Sequence, residues 1–168
     1  SNTIKGYLEP TPEIEFDHLE NLWACHNKKG IFKIKLNETL DAVDFIKYYG
    51  KDEGFQSDRN IREAKIENRI VFTSGKLIYT YDDLKDTIIP FDALNKQLPS
   101  GFSVKKIVSA YKDHYWFISN NSVALIKIIN NQMDLKFLYD FNSEDFSLIS
   151  DFPNVIPLNS NLHLICLD

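Results

Sequence analysis

Apolar and polar residues alternate along much of this chain, with a period of two. In Phe32-Lys33-Ile34-Lys35-Leu36 the apolar side chains point one way and the lysines the other, which predicts a strand with one wet face. Leu135, Phe137, Tyr139 and Phe141 alternate with Lys136, Leu138 and Asp140 in the same manner. Between such runs stand Asn, Asp and Gly, residues that bond their own backbone or accept positive φ. The predicted strands are 13–16, 22–26, 32–36 and 41–49, then 62–66, 70–74, 76–81 and 87–91, then 104–111, 115–119, 123–129 and 134–141. Two more, 155–158 and 162–167, begin a fourth set. A helical reading of 39–49 is the alternative at that point. Asp92 to Leu98 predicts one helical turn, with Asp92 at the N-cap and Pro99 closing it, and Ser143 to Phe152 predicts another.

The sets repeat. Trp23, Val71, Trp116 and Leu164 fall at comparable points, at intervals of 48, 45 and 48 residues. Four short strands in a period of about 40–50 residues point to the blade of a β-propeller; an antiparallel sandwich with evenly spaced strands is the competing fold. The expected architecture is all-β, with propeller-like blades of four antiparallel strands. About three and a half blades are present, as in a piece of a larger propeller. The units are about 13–50, 62–98, 104–141 and 154–168. Residues 1–12 read as a connecting segment, barred from a central strand by Pro10 and Pro12, and Ser1-Asn2 resembles a cloning scar. Unclosed terminal units imply self-association, or pairing of the N-terminal strand with the incomplete last sheet.

Composition narrows the function classes. A length of 168 residues with 43% hydrophobic and 13% aromatic content suits one folded domain and opposes disorder. The net charge of −5, with no basic stripe, disfavours nucleic acid as a partner of this segment. No apolar run reaches the roughly 18–20 residues of a membrane helix. Cys25 and Cys166 read as two buried thiols, although a bridge between them is open at this level.

No catalytic, cofactor or metal residue stands out. Asp17-His18 and Asp113-His114 invite a metal or acid–base reading, but turn chemistry accounts for both. Gly-x-Ser-x-Gly is absent, and Ser74-Gly75-Lys76 lacks the upstream glycine of a phosphate loop. Asn37-Glu38-Thr39 and Asn120-Asn121-Ser122 are formal glycosylation sequons. Trp23, Trp116, Tyr48, Tyr49, Tyr79 and Tyr81 could stack on a sugar, or pack blade against blade.

Several stretches carry a resemblance. Lys51 to Asp58 resembles the "dGLpsn" connection of two-component regulator propellers. Glu20-Asn21-Leu22-Trp23, followed by Lys29-Gly30-Ile31-Phe32-Lys33, resembles their "GniW…kGiyr" core. Tyr115-Trp116-Phe117-Ile118 matches the tryptophan strand again. Asn154 to Leu158 with Leu164 to Asp168 looks like the strands that precede the triple-tyrosine domain. Ser122 stands where a glycine is usual, Phe55-Gln56 replaces Leu-Pro, and Gly75 to Tyr79 lacks the second glycine of "GkGiY".

The resemblance implies a non-catalytic segment of the periplasmic sensor region of a membrane-bound two-component or transcriptional regulator. Its expected partners are the remaining blades, the triple-tyrosine domain and an oligosaccharide ligand; it requires no cofactor. A purely structural or dimerisation module is the alternative. Which residues bind the ligand is not readable from the sequence.

Overall fold

The computed structural model describes residues 4–141 in full, and the segments 154–159 and 162–166 as backbone. Three antiparallel sheets of four strands follow one another along the chain. Sheet I contains β1 (Glu13–Phe16), β2 (Leu22–His26), β3 (Gly30–Leu36) and β4 (Val43–Tyr49). Sheet II contains β5 (Arg62–Ile66), β6 (Arg69–Ser74), β7 (Leu77–Asp82) and β8 (Thr87–Pro90). Sheet III contains β9 (Lys106–Tyr111), β10 (His114–Ile118), β11 (Ser122–Ile129) and β12 (Gln132–Asp140). A hairpin of β13 (Asn154–Asn159) and β14 (Leu162–Cys166) comes last. Each strand pairs with its neighbour in sequence, so every sheet is a meander. The three predicted four-stranded units are therefore present, and 43–49 is a strand, not a helix.

The turns explain the meanders. Glu67-Asn68 and Asn130-Asn131 are successive residues at positive φ, the geometry whose twist matches a tight hairpin. The 3₁₀ turn Lys51–Glu53 leads into Gly54 at φ 119°, between sheets I and II. A Cβ on Gly54 would lie 2.0 Å from the Ile88 carbonyl oxygen, so this crossing needs glycine. Phe55, next in sequence, plugs into the core against Phe72 and Tyr79.

Two apolar layers hold the sheets together. Between sheets I and II lie Trp23, Ile31, Tyr49, Phe55, Ile70, Phe72 and Tyr79. Between sheets II and III lie Ile66, Val71, Ile78, Leu94, Ile107, Phe117 and Ile126. Burying each such side chain contributes roughly 1.5–3 kcal/mol before conformational entropy is counted. On the outer face of sheet I, Ile34, Leu22 and Ala24 pack under Ile4, Tyr7 and Val43.

Three local expectations are corrected. The lysine side of β3 is not wet throughout. It faces sheet II, and Lys33 lies over the rings of Tyr81 and Trp23, at 4.2 and 5.7 Å from their centroids. Its aliphatic stem covers apolar surface while the charge meets two π faces. The alternation of β12 is broken by a bulge: Phe137 pairs with Leu125 but Leu135 pairs with Ile126, so these two side chains emerge on opposite faces. The short helix α1 (Asp92–Asn95) has Phe91, not Asp92, at its N-cap and makes no side-chain cap bond there. The Phe91 carbonyl accepts from Leu94 and Asn95, and Asn95 in turn bonds both backbone groups of Ile78. The turn predicted over Ser143 to Phe152 lies outside the described residues.

Candidate functional site

The first strands of successive sheets adjoin one another: β1 meets β5, β5 meets β9, and β9 meets β13. Where β1, β5 and β9 converge they enclose a groove of about 920 Å³. Glu13, Glu63, Lys65, Lys106, Ser109 and Tyr115 are among its lining residues. On β5, Glu63 and Lys65 share one face because Ala64 and Ile66 turn the other way, into the apolar layer between sheets II and III.

Three of the charged groups in the groove are already engaged. Lys106 bridges to Glu13 at 2.8 Å, tying sheet III to sheet I. Glu67 accepts the backbone N–H groups of Asn130 and Asn131 at 2.7 and 3.1 Å, tying the first turn of sheet II to the last turn of sheet III. The Tyr115 hydroxyl accepts the Glu67 N–H at 3.1 Å. Glu63 differs. It is only 7% exposed, and among the described residues its carboxylate oxygens make no full hydrogen bond, with only the weak donation of the Cys25 thiol and its own backbone N–H toward them. Burial pushes its carboxyl up to about 7, against the weaker opposing effects of Cys25 and the Glu63 backbone. Cys25, from β2, is a buried free thiol whose own ionisation is pushed well up, first by burial and then by Glu63. The side chain of Cys166 lies outside the described residues.

The aromatic residues considered for sugar stacking are used in packing. Trp23 meets Tyr49, Phe72 and Tyr81 at centroid distances of 5.4, 5.1 and 5.1 Å. Tyr79 is buried against Phe55, and Trp116 against Ile118 and Val123. Tyr48 is partly exposed, but its hydroxyl donates to Asp58 at 3.0 Å and its ring leans on Phe32. The six side chains form no shared platform.

Asp17 and His18 part company. The buried Asp17 carboxylate accepts from the backbone N–H groups of Leu19 and Asn21, each at 2.9 Å. It also accepts from the Asn21 side-chain amide and from the Trp23 indole N–H, again at 2.9 Å. Burial alone would oppose its ionisation; these donors outweigh it and hold the carboxyl below the usual range. Asp17 thus organises the β1–β2 turn and pins the central tryptophan, while His18 faces solvent. Asp113 sits in the β9–β10 turn at φ 59°, and His114 stacks on Tyr111 with Nδ1 at 2.7 Å from the Lys112 carbonyl oxygen. Among the described residues no three or more His, Cys, Asp and Glu side chains are grouped so as to hold a metal. Asn37 of the first sequon bonds Thr39, Asp41 and Ala42 and shapes the β3–β4 turn. Ser122 of the second is buried, with its hydroxyl 2.7 Å from that of Ser119.

A second charged cluster joins sheets I and II away from the groove. Tyr49 and Tyr81 both donate to Asp86 Oδ1, and Lys47 pairs with Asp86 Oδ2. Lys33 donates to the Tyr81 hydroxyl at 2.9 Å. Lys47 and the two tyrosines hold the Asp86 carboxyl well below its ordinary range, although desolvation opposes them. Burial, and then Asp86, push Tyr81 up to about 12. Sequence reasoning missed both this cluster and Glu63: the alternation of β3 makes Lys33 read as solvent-facing, and Lys47 and Glu63 carry no signal of their own. Compared with known proteins, the chain matches no family model, no curated protein and no solved structure.

Proposed function

We propose that this chain is a non-catalytic β-propeller segment in the periplasmic sensor region of a membrane-bound two-component or transcriptional regulator. In this reading the three sheets are successive blades, and the groove along their first strands is the face that meets a ligand of oligosaccharide type. The remaining blades and a triple-tyrosine domain are its covalent neighbours. One observation carries the reading: three four-stranded meanders repeat along the chain, and their first strands adjoin in order around one groove. The short motifs around Trp23, Gly54 and Trp116 add the family resemblance. The groove offers hydroxyl, amide, carboxylate and ammonium groups, the set that binds polyhydroxylated ligands by hydrogen bonds.

A second reading has its own support. Every aromatic residue considered for sugar stacking is engaged within the protein, which favours a structural module with no ligand. A polysaccharide-binding screen on the purified protein, followed by calorimetry, separates the two. The sensor reading expects at least one glycan class to bind, with affinity lost in Lys65→Ala and kept in Lys28→Ala, which lies outside the groove. Absence of binding across the screen, or equal loss in both variants, supports the structural module.

A further inference from the structure

Glu63 is a buried acid whose carboxyl has, among the described residues, no partner beyond the weak donors of the Cys25 thiol and its own backbone N–H. Its strand, β5, adjoins β1 and β2 of sheet I. Its carboxyl stands at that junction beside the Cys25 thiol, on the side of β5 opposite Ala64, which packs in the layer between sheets II and III. The titratable groups around it are few. Glu13 from β1 acts against its ionisation, and Lys106 of β9 already neutralises Glu13. Cys25 from β2 and Arg62 on β5 itself act in favour, and both are outweighed by burial. Tyr7, from the segment before β1, feels the charge of Glu63 and of Cys25. Among the described residues no cation pairs with the Glu63 carboxylate at bonding distance.

A carboxylate left unpaired in such a place costs far more than the neutral acid. We propose that the junction between sheets I and II is a proton-controlled contact, packed while the Glu63 carboxyl is neutral and loosened when it ionises. Loosening would move β5 away from β2 and bring the carboxylate to water. The same movement would uncover Cys25, which is fully buried in the packed form. The contact also forms one wall of the groove, since Glu63 and Glu13 both line it. Proton loss would therefore reshape the groove near neutral pH.

The sign follows from linkage. The folded protein holds this proton up to about pH 7, whereas the exposed group would release it at its ordinary value of 4.5. Between those values the open form gains on the packed form by about tenfold per pH unit, and above them the ratio is constant. Cys25 reports the opening directly. A pyridyl disulfide reacts with its thiolate once it is exposed, and peptide mass mapping assigns the label to Cys25 rather than Cys166. Thiolate formation adds its own factor of about ten per pH unit below the thiol's ordinary range.

The wild-type labelling rate should therefore rise about a hundredfold per pH unit between about pH 4.5 and 7 and about tenfold above that. In Glu63→Gln the rise should be about tenfold throughout. Equal slopes in the two proteins, whether both steep or both shallow, would overturn the proposal. Should Glu63→Gln not fold, the wild-type profile decides alone: a break in slope near pH 7 supports the proposal, and a single tenfold slope sinks it.

Discussion

Replacing Asp17 with alanine tests whether one carboxylate holds the Trp23 layer in place. The carboxylate accepts four donors, of which the Asn21 backbone N–H, the Asn21 side-chain amide and the Trp23 indole N–H are buried. Alanine removes every acceptor at once and leaves a space that water can partly fill. A buried donor stripped of its partner costs about 1–3 kcal/mol. With two of the three left dry, the expected loss is about 3 kcal/mol. Asp17→Asn keeps one oxygen but turns an amide donor toward the others, so about 2 kcal/mol is expected. Urea unfolding followed by circular dichroism and tryptophan fluorescence measures both.

The pH dependence adds a second check on Asp17. The folded carboxyl is held below its ordinary value of 3.8, so its contribution is complete at neutral pH and fades as the pH falls through the lowered folded value. The gap between wild type and Asp17→Ala should narrow accordingly in acid. A loss under about 0.5 kcal/mol, the range of unremarkable surface changes, would refute the reasoning. So would a gap that is the same in strong acid as at neutrality.

Three further outcomes are expected. Gly54→Ala should cost more than about 1 kcal/mol, because φ is 119° and the new methyl would overlap the Ile88 carbonyl; thermal melts would show it, and an unchanged midpoint would argue against the tight crossing. Asp86→Asn should shift part of the tyrosine absorbance titration to lower pH, because Asp86 contributes to the raised values of Tyr49 and Tyr81; a superimposable curve would place the whole effect in burial. Trp116→Ala should cost roughly 3–5 kcal/mol by chemical unfolding, as the ring is 4% exposed beside Ile118 and Val123, and wild-type stability would contradict its place in the core.

The strands were legible because their period is two and their turns are written in Asn, Asp and Gly. Glu13–Phe16 falls where alternation puts it, and Leu22–His26 and Arg62–Ile66 fall between the turn residues that bound them. What alternation does not carry is the identity of the medium on the polar side. In β3 and β5 that side faces another sheet, so Lys33 lies on two aromatic rings although it reads as wet, and Glu63 is buried. Neither feature has a local signal, because the partner comes from a different unit of the chain. The bulge at Leu135–Phe137 is hidden for another reason: one extra residue in a strand leaves the sequence pattern of β12 intact while reversing its faces. The cap of α1 failed through competition, since Asp92 is a good N-cap in isolation but Asn95 fixes the turn by reaching back to Ile78. Asp17-His18 reads as turn chemistry and Asp17 does bond the turn, but its grip on Trp23 requires a partner six residues away.

The meander order has a consequence for how the molecule comes apart. Every sheet is sewn from strands adjacent in sequence, so each can zip up from short loops with little entropy to overcome. Among the described residues no ladder joins one sheet to another; side chains, two ion pairs and loop contacts do the joining. The chain therefore behaves as a short row of coupled units, each stabilised by the neighbour it touches. Amide exchange should release whole sheets in steps, with the seam between sheets I and II separating more readily as Glu63 gives up its proton.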